Sequence, residues 1–327
     1  MKYLSSIALG FLLAIAFTLS ACGTVDETEV DPKVRIGGGN QSGLYQKAGE
    51  GIAECLEASE LRSTYAVSVQ ISEGSVSNIN ALSAGSLEVA LVQSDRLYQA
   101  YHGFGAWQGE PVDKLRFVCS FYPEVVTLLA TNGSGIYSLE DIKGKVVSIG
   151  SSASGTKGNV LNYLEAQELV PGKDFVAEEI LLDEAIAKMQ NGELDAIFCT
   201  VGHPNEMISE IVKGDREVHF VPLPGNESLA EMFPYYNLTS IDLSQYPQLN
   251  KSEKIPALGV YAILATSSEV NDEKVYAILK SLGDNLDLLK NKHQAFSNLE
   301  VQAMLDGIST PLHSGAVKFY KEGSIFR

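Results

Sequence analysis

Asn80-Ala81-Leu82-Ser83-Ala84-Gly85-Ser86-Leu87-Glu88-Val89-Ala90-Leu91-Val92 runs a short helix into a glycine, an acid and then an apolar strand. The chain repeats that order at Glu184-Ala185-Ile186-Ala187-Lys188-Met189-Gln190-Asn191-Gly192-Glu193-Leu194-Asp195-Ala196-Ile197-Phe198. Upstream of each copy a strand empties into a Gly/Ser-rich loop: Val34-Arg35-Ile36 into Gly37–Gly43, and Val146–Ile149 into Gly150–Thr156. The repeat predicts an α/β fold of two similar Rossmann-like lobes. Ligands of parallel α/β sheets bind outside the carboxyl ends of the strands, so a cleft between the lobes is the expected small-molecule site.

Working outward, Gly43–Leu56 places Leu44, Ala48, Ile52 and Leu56 on one helical face. Ala66–Ile71 alternates as a strand, Val76–Ser83 is a helix with Ser75 as its expected N-cap, and Glu88–Val92 is the next strand. Phe117–Ala130 reads as two strand stretches meeting at Tyr122-Pro123, the first crossing between lobes. The second lobe repeats the scheme with a strand at 146–149, a helix from Lys157 and a strand at 194–200. The return crossing falls within 222–256, Leu258–Ala265 is a strand, and Asp272–Leu289 is one amphipathic helix. Lobe one is therefore 34–121 plus about 256–327, and lobe two about 122–255.

The amino end reads differently. Lys2, the apolar run Ile7–Leu19 and the ending Leu19-Ser20-Ala21-Cys22 have the layout of a secretory signal. The run is shorter than the ~20 residues a membrane span needs. The Leu-x-Ala-Cys ending resembles a bacterial lipobox, which makes residues 1–21 a lipoprotein signal peptide and Cys22 the lipidated first residue. A plain signal cleaved near Ala21 is the alternative. Residues 22–33 then form a flexible tether, with four acids and no aromatic in Gly23–Lys33. Net charge is −17, and −18 once Lys2 is removed. That excludes nucleic acid as a partner and disfavours docking on anionic lipid. Cys55, Cys119 and Cys199 have neither disulfide nor zinc spacing and read as small buried hydrophobes.

Five loops should converge on the cleft: Gly39–Gly43, Ser72–Ser75, Gln93–Asp95, Ser154–Thr156 and Cys199–Asn205. Free amides at helix starts, with hydroxyls beside them, form anion sites. None of the five contains Arg or Lys. A ligand carboxylate should therefore be held chiefly by backbone amides and by the hydroxyls of Ser75, Ser94, Ser154 and Thr156, with Lys157 assisting electrostatically at most. Competing motifs fail on spacing. Gly37-x-Gly39 lacks its third glycine, and Gly150–Lys157 reverses the Lys and Ser/Thr order of a phosphate-binding loop. There is no G-x-S-x-G elbow, and His102, His203, His219, His293 and His313 lack metal spacing. The reading is a binding protein with no cofactor, no metal and no catalytic residue.

At these loops the chain resembles the TAXI family of solute receptors for TRAP transporters, which have the type II periplasmic-binding fold. The matching stretches are Ile36–Tyr45, Glu73–Ile79, Ala90–Asp95, Tyr122-Pro123-Glu124, Gly150–Thr156, Gly202–Asn205 and Pro311–Ala316. The departures are Gly38 and Asn40 in the first loop, His203 before Pro204, and Ser314. The resemblance implies an extracytoplasmic, lipid-anchored receptor, expected to be monomeric. It would deliver an acidic amino acid or dicarboxylate to a TRAP permease membrane subunit. The implied ligand-binding residues are Asn40, Ser42, Tyr45, Ser75, Gln93, Ser94, Asp95, Tyr122, Ser154, Gly155, Thr156, Gly202 and His203. The alternative is a ligand-sensing protein that signals to a membrane sensor kinase.

Overall fold

A computed structural model describes residues 31–324. The signal segment, Cys22 and most of the tether lie outside the described residues. The first lobe begins β1 (Lys33–Gly37), α1 (Leu44–Ala58), β2 (Ala66–Gln70), α2 (Ser75–Ser83), β3 (Val89–Gln93) and α3 (Ser94–His102). Strands β2 and β3 flank β1 and run parallel to it. Every residue of β3 is buried, as an apolar strand covered on both faces requires. The edge strand β2 alternates between exposed and half-buried.

Next comes β4 (Leu115–Thr131), one continuous strand where two were expected. Pro123 sits on it as an exposed residue, a position where its missing N–H is tolerated. The partner is β10 (Lys254–Ser267), antiparallel throughout, with a register shift between Ala262, opposite Tyr122, and Ile263, opposite Ser120. These two strands carry the chain from lobe to lobe.

Between them lie β5 (Val146–Ser148), α4 (Gly155–Ala166), β6 (Val176–Glu178), α5 (Leu182–Asn191), β7 (Ala196–Val201), α6 (Glu206–Lys213), β8 (Val218–Val221), α7 (Asn226–Met232) and β9 (Asn237–Asp242). After β10 come α8 (Asp272–Asp284), α9 (Leu286–Lys290) and α10 (Ser314–Glu322). The helix expected over 272–289 thus breaks at Asn285, whose amide side chain donates to the Cys55 and Ser281 carbonyls. Strand order is β2-β1-β3-β10-β4-β7-β5-β6, with β8 on β4 and β9 on β10.

Apolar packing divides at the crossings. Tyr122 and Ala262 belong to a cluster with Val34, Ile36, Ile52 and Leu282, whereas Val126 and Val260 pack with Val147, Val160 and Phe198. Cys55, Cys119 and Cys199 are free and buried. Among the described residues no helix is long and apolar enough to cross a membrane, and no group of three or more His, Cys, Asp or Glu could hold a metal ion.

Candidate functional site

The carboxyl ends of β1, β3, β5 and β7 point toward one cavity of about 140 Å³. Helix α1 opens onto it from lobe one and α4 from lobe two. Gly43, Leu44 and Tyr45 line one side, and Ser154, Gly155 and Thr156 the other. Neither helix has a side-chain N-cap. The Ser154 hydroxyl donates to the Ser151 carbonyl instead of accepting from the helix. First-turn amides lack intrahelical acceptors, so both helices present donors and the positive end of a dipole. Gly150 takes φ +84°, turning the β5–α4 loop sharply. At Gly155 a Cβ would collide with the Gln93 side chain, so glycine permits the two lobes to touch there.

Nine of the thirteen residues named from the sequence line this cavity: Asn40, Tyr45, Ser75, Gln93, Tyr122, Ser154, Gly155, Thr156 and Gly202. Four do not. The Ser42 hydroxyl is 4.0 Å from the Met207 sulfur across the lobes. Helix α3 begins directly at Ser94 with no intervening loop, which turns Ser94 and Asp95 inward. The Ser94 hydroxyl accepts the Tyr261 N–H, and its carbonyl accepts the Ser309 hydroxyl. Asp95 is fully buried and paired with Arg96 at 2.7 Å. His203 is half-buried behind the cavity, 2.9 Å from the Thr127 hydroxyl and 2.6 Å from the Tyr246 hydroxyl. Burial pushes its imidazole down to about 3, leaving it neutral.

The α2 end also differs from expectation. Gly74, not Ser75, is the N-cap, at φ +118°. The Ser75 hydroxyl accepts the Gln93 N–H. The Val76 and Ser77 amides donate to the Ala153 carbonyl of the other lobe at 3.1 and 3.2 Å. Those donors bridge the lobes and are not offered to a ligand. Lys47 pairs with Glu206 in a second bridge. The lobes are therefore closed on each other. Thr156 faces the cavity while its oxygen accepts the Thr200 N–H. Lys157 lies outside the lining and pairs with Glu179 at 2.7 Å. No lysine or arginine lines the cavity.

Several lining groups were missed, among them Ser148, Ser151 and Glu124. Glu124 is 5% exposed and accepts a hydrogen bond from the Tyr45 hydroxyl at 3.0 Å. Desolvation by burial, with the Asp95 charge adding to it, pushes its carboxyl up to about 8. The signal was available, since Glu124 is the one charged side chain between Phe117 and Ala130. Tyr122 Oη, Gln93 Oε1 and Ser151 Oγ line the same space and are buried without hydrogen-bond partners.

The family model that fits this architecture is the NMT1-like family, matched over residues 36–323. The chain belongs to the NMT1-like family. Among solved structures it is similar to a protein from Bordetella bronchiseptica RB50, at 14% identity and TM-score 0.53, covering 90% of this chain and 98% of that one. It is also similar to a structure from work on glutathione import through GshT and the cystine ABC importer TcyBC of Streptococcus mutans. There the identity is 12% and the TM-score 0.50, over 82% and 95% of the two chains. The periplasmic aliphatic sulphonate binding protein SsuA from Escherichia coli matches at 16% identity and TM-score 0.49, over 89% and 83%. At these identities the first two likenesses are of fold alone. The fold is mixed α/β, a central sheet with helices, like that of type II periplasmic binding proteins.

Proposed function

We propose that this member of the NMT1-like family is an extracytoplasmic solute receptor. It closes its two lobes on a small carboxylate, an acidic amino acid or a dicarboxylate, and delivers it to a TRAP-type permease. The observation that carries the reading is the pair of uncapped helix N-termini, α1 and α4, that meet one cavity from opposite lobes. Such ends bind anions without a formal positive charge, which suits a lining free of Lys and Arg. The ligand carboxylate sits on the α4 end, against the amides of Gly155 and Thr156 and the hydroxyl of Thr156. Side chains of Asn40, Tyr45 and Gln93 complete the enclosure from lobe one. Ligand shifts an open–closed equilibrium because only the closed state offers both walls at once.

Anchoring through acylated Cys22 and use of the 22–33 segment as a tether belong to the same reading. Finding a large fused permease encoded beside this gene would support the transport role, whereas a neighbouring sensor kinase would replace it with signalling. The direct test is a thermal-shift panel of carboxylates and amino acids. A ligand at 100 times its Kd adds about 2.7 kcal/mol of stability, a readily measured rise in Tm. A panel of small carboxylates and amino acids with no stabilising member removes the proposal.

A further inference from the structure

Apart from the anion-binding end, two acids line the cavity, Glu73, which is exposed, and Glu124, which is buried in an unusual setting. Glu124 lies on β4 among Tyr45 of α1, Ser75 of α2, Gln93 at the end of β3 and Tyr122 beside it on the strand, with no cation in the lining. The titratable groups facing it are Tyr45, Tyr122 and, from α3, Asp95, whose own charge is met by Arg96. A buried carboxylate without a cation is costly, so the ligand-free group keeps its proton at neutral pH. The cavity offers an ammonium group the Glu124 carboxyl and two buried, unpartnered oxygens, Tyr122 Oη and, against Gly155, Gln93 Oε1. An ammonium group has three donors and no acceptor, which suits such a lining. A second carboxylate would meet acceptors and a carboxyl group, and the nearby helix-start amides of Val76, Ser77 and Arg96 are already taken by the Ala153 carbonyl and the Asp95 carboxylate.

Resting on the solute-receptor reading, we propose that Glu124, with Gln93 and Tyr122, is the recognition post for a ligand ammonium group. The solute is then a free α-amino acid and not a dicarboxylate. As the ammonium docks, the Glu124 carboxyl gives its proton to solvent and pairs with the new cation. The charge of the site is balanced by the ligand itself.

The test is isothermal titration calorimetry on the mature chain with matched probes: L-glutamate against glutarate, and L-leucine against 4-methylpentanoate. The amine member of at least one pair should bind about a hundredfold tighter. It should also release close to one proton at pH 7, read from titrations in two buffers of different ionisation enthalpy. Glu124→Gln, which keeps the side-chain shape, should abolish both the preference and the proton release. Tyr45→Phe, which keeps the packed ring but removes the hydroxyl that donates to Glu124, should narrow the preference for the amine member about tenfold. Deaminated probes binding as well as their amines, or a Glu124→Gln protein that keeps the preference, would overturn the ammonium post and leave the receptor reading standing. Binding of no probe in either pair overturns both.

Discussion

Asp95→Ala should be among the most destabilising single changes in this chain, because it strands a buried cation. The Asp95 carboxylate accepts from the Arg96 backbone N–H at 2.8 Å, from Arg96 Nε at 3.0 Å and Nη2 at 2.7 Å, and from Asn159 Nδ2 at 2.5 Å. Asn159 lies on α4 and in turn accepts from Thr200, so one carboxylate ties the first lobe to the second. Asp95 and Arg96 side chains are 0% and 4% exposed. Removing one partner of such a pair costs about 3–5 kcal/mol, whereas replacing both by apolar residues of similar volume is often neutral. At about 2 °C per kcal/mol for a chain of this size, the single variant should melt roughly 6–10 °C lower. The double variant Asp95→Leu/Arg96→Met should recover most of that. Urea unfolding of the wild type, both singles and the double gives the coupling energy directly. If Asp95→Ala costs under about 1 kcal/mol, or the double is as unstable as the sum of the singles, the argument from an uncompensated charge is refuted.

Other outcomes follow from the site. Thr156→Ala should weaken ligand binding about ten- to a hundredfold, since a hydrogen bond to a charged acceptor contributes about 1.5–3 kcal/mol. Lys157→Ala, which loses only a half-buried ion pair with Glu179 outside the cavity lining, should cost less, and the opposite ranking by calorimetry defeats the amide-and-hydroxyl reading. Glu124 has its folded pKa raised from 4.5 to about 8, so the folded state holds a proton that the unfolded state has lost between those pH values. Ligand-free stability should therefore fall as pH rises through that window, by up to about 1.4 kcal/mol per unit. Glu124→Gln should flatten that slope in melts taken at pH 5 and 8, and an unchanged slope contradicts it. Full-length protein should partition with membranes and Cys22→Ser should release it, while equal soluble fractions remove the lipid anchor.

The repeated helix–glycine–acid–strand phrase made the parallel halves of the sheet readable, because each copy must bury its apolar strand beside the one before it. Glu88 and Asp195, the acids of the two copies, hold that geometry. Glu88 pairs with Arg35, and Asp195 accepts the Val146 N–H. The cavity residues contributed by turns were readable for a similar reason: Gly150 and Gly155 are dictated by backbone conformation and close approach. What escaped was whatever depended on orientation. Asp95 and His203 sit in the right segments, yet α3 starts without a loop and Tyr246 lies opposite His203, so tertiary partners claim both side chains. Ser75 looked like a cap, but Gly74 takes that place and the serine serves Gln93. Glu124 stood out as the one charge in an apolar strand, yet what it does is told only by the packed neighbours Tyr45 and Gln93.

Because Tyr122 and Ala262 are paired neighbours on antiparallel strands, the chain leaves the first lobe and re-enters it at adjacent points. In genetic terms the second lobe is an insert with its two ends side by side, a cassette fitted into a hairpin. A two-residue turn suffices to join antiparallel neighbours, so the first lobe's sheet does not need the insert to close. Exchange of that cassette between relatives would substitute one wall of the cavity and leave the other intact. The wall of Tyr45, Ser75 and Gln93 would stay with its host, while Glu124 and the α4 side travelled with the donor. Selectivity in this fold can thus be recombined by halves, without redesigning the frame that carries both.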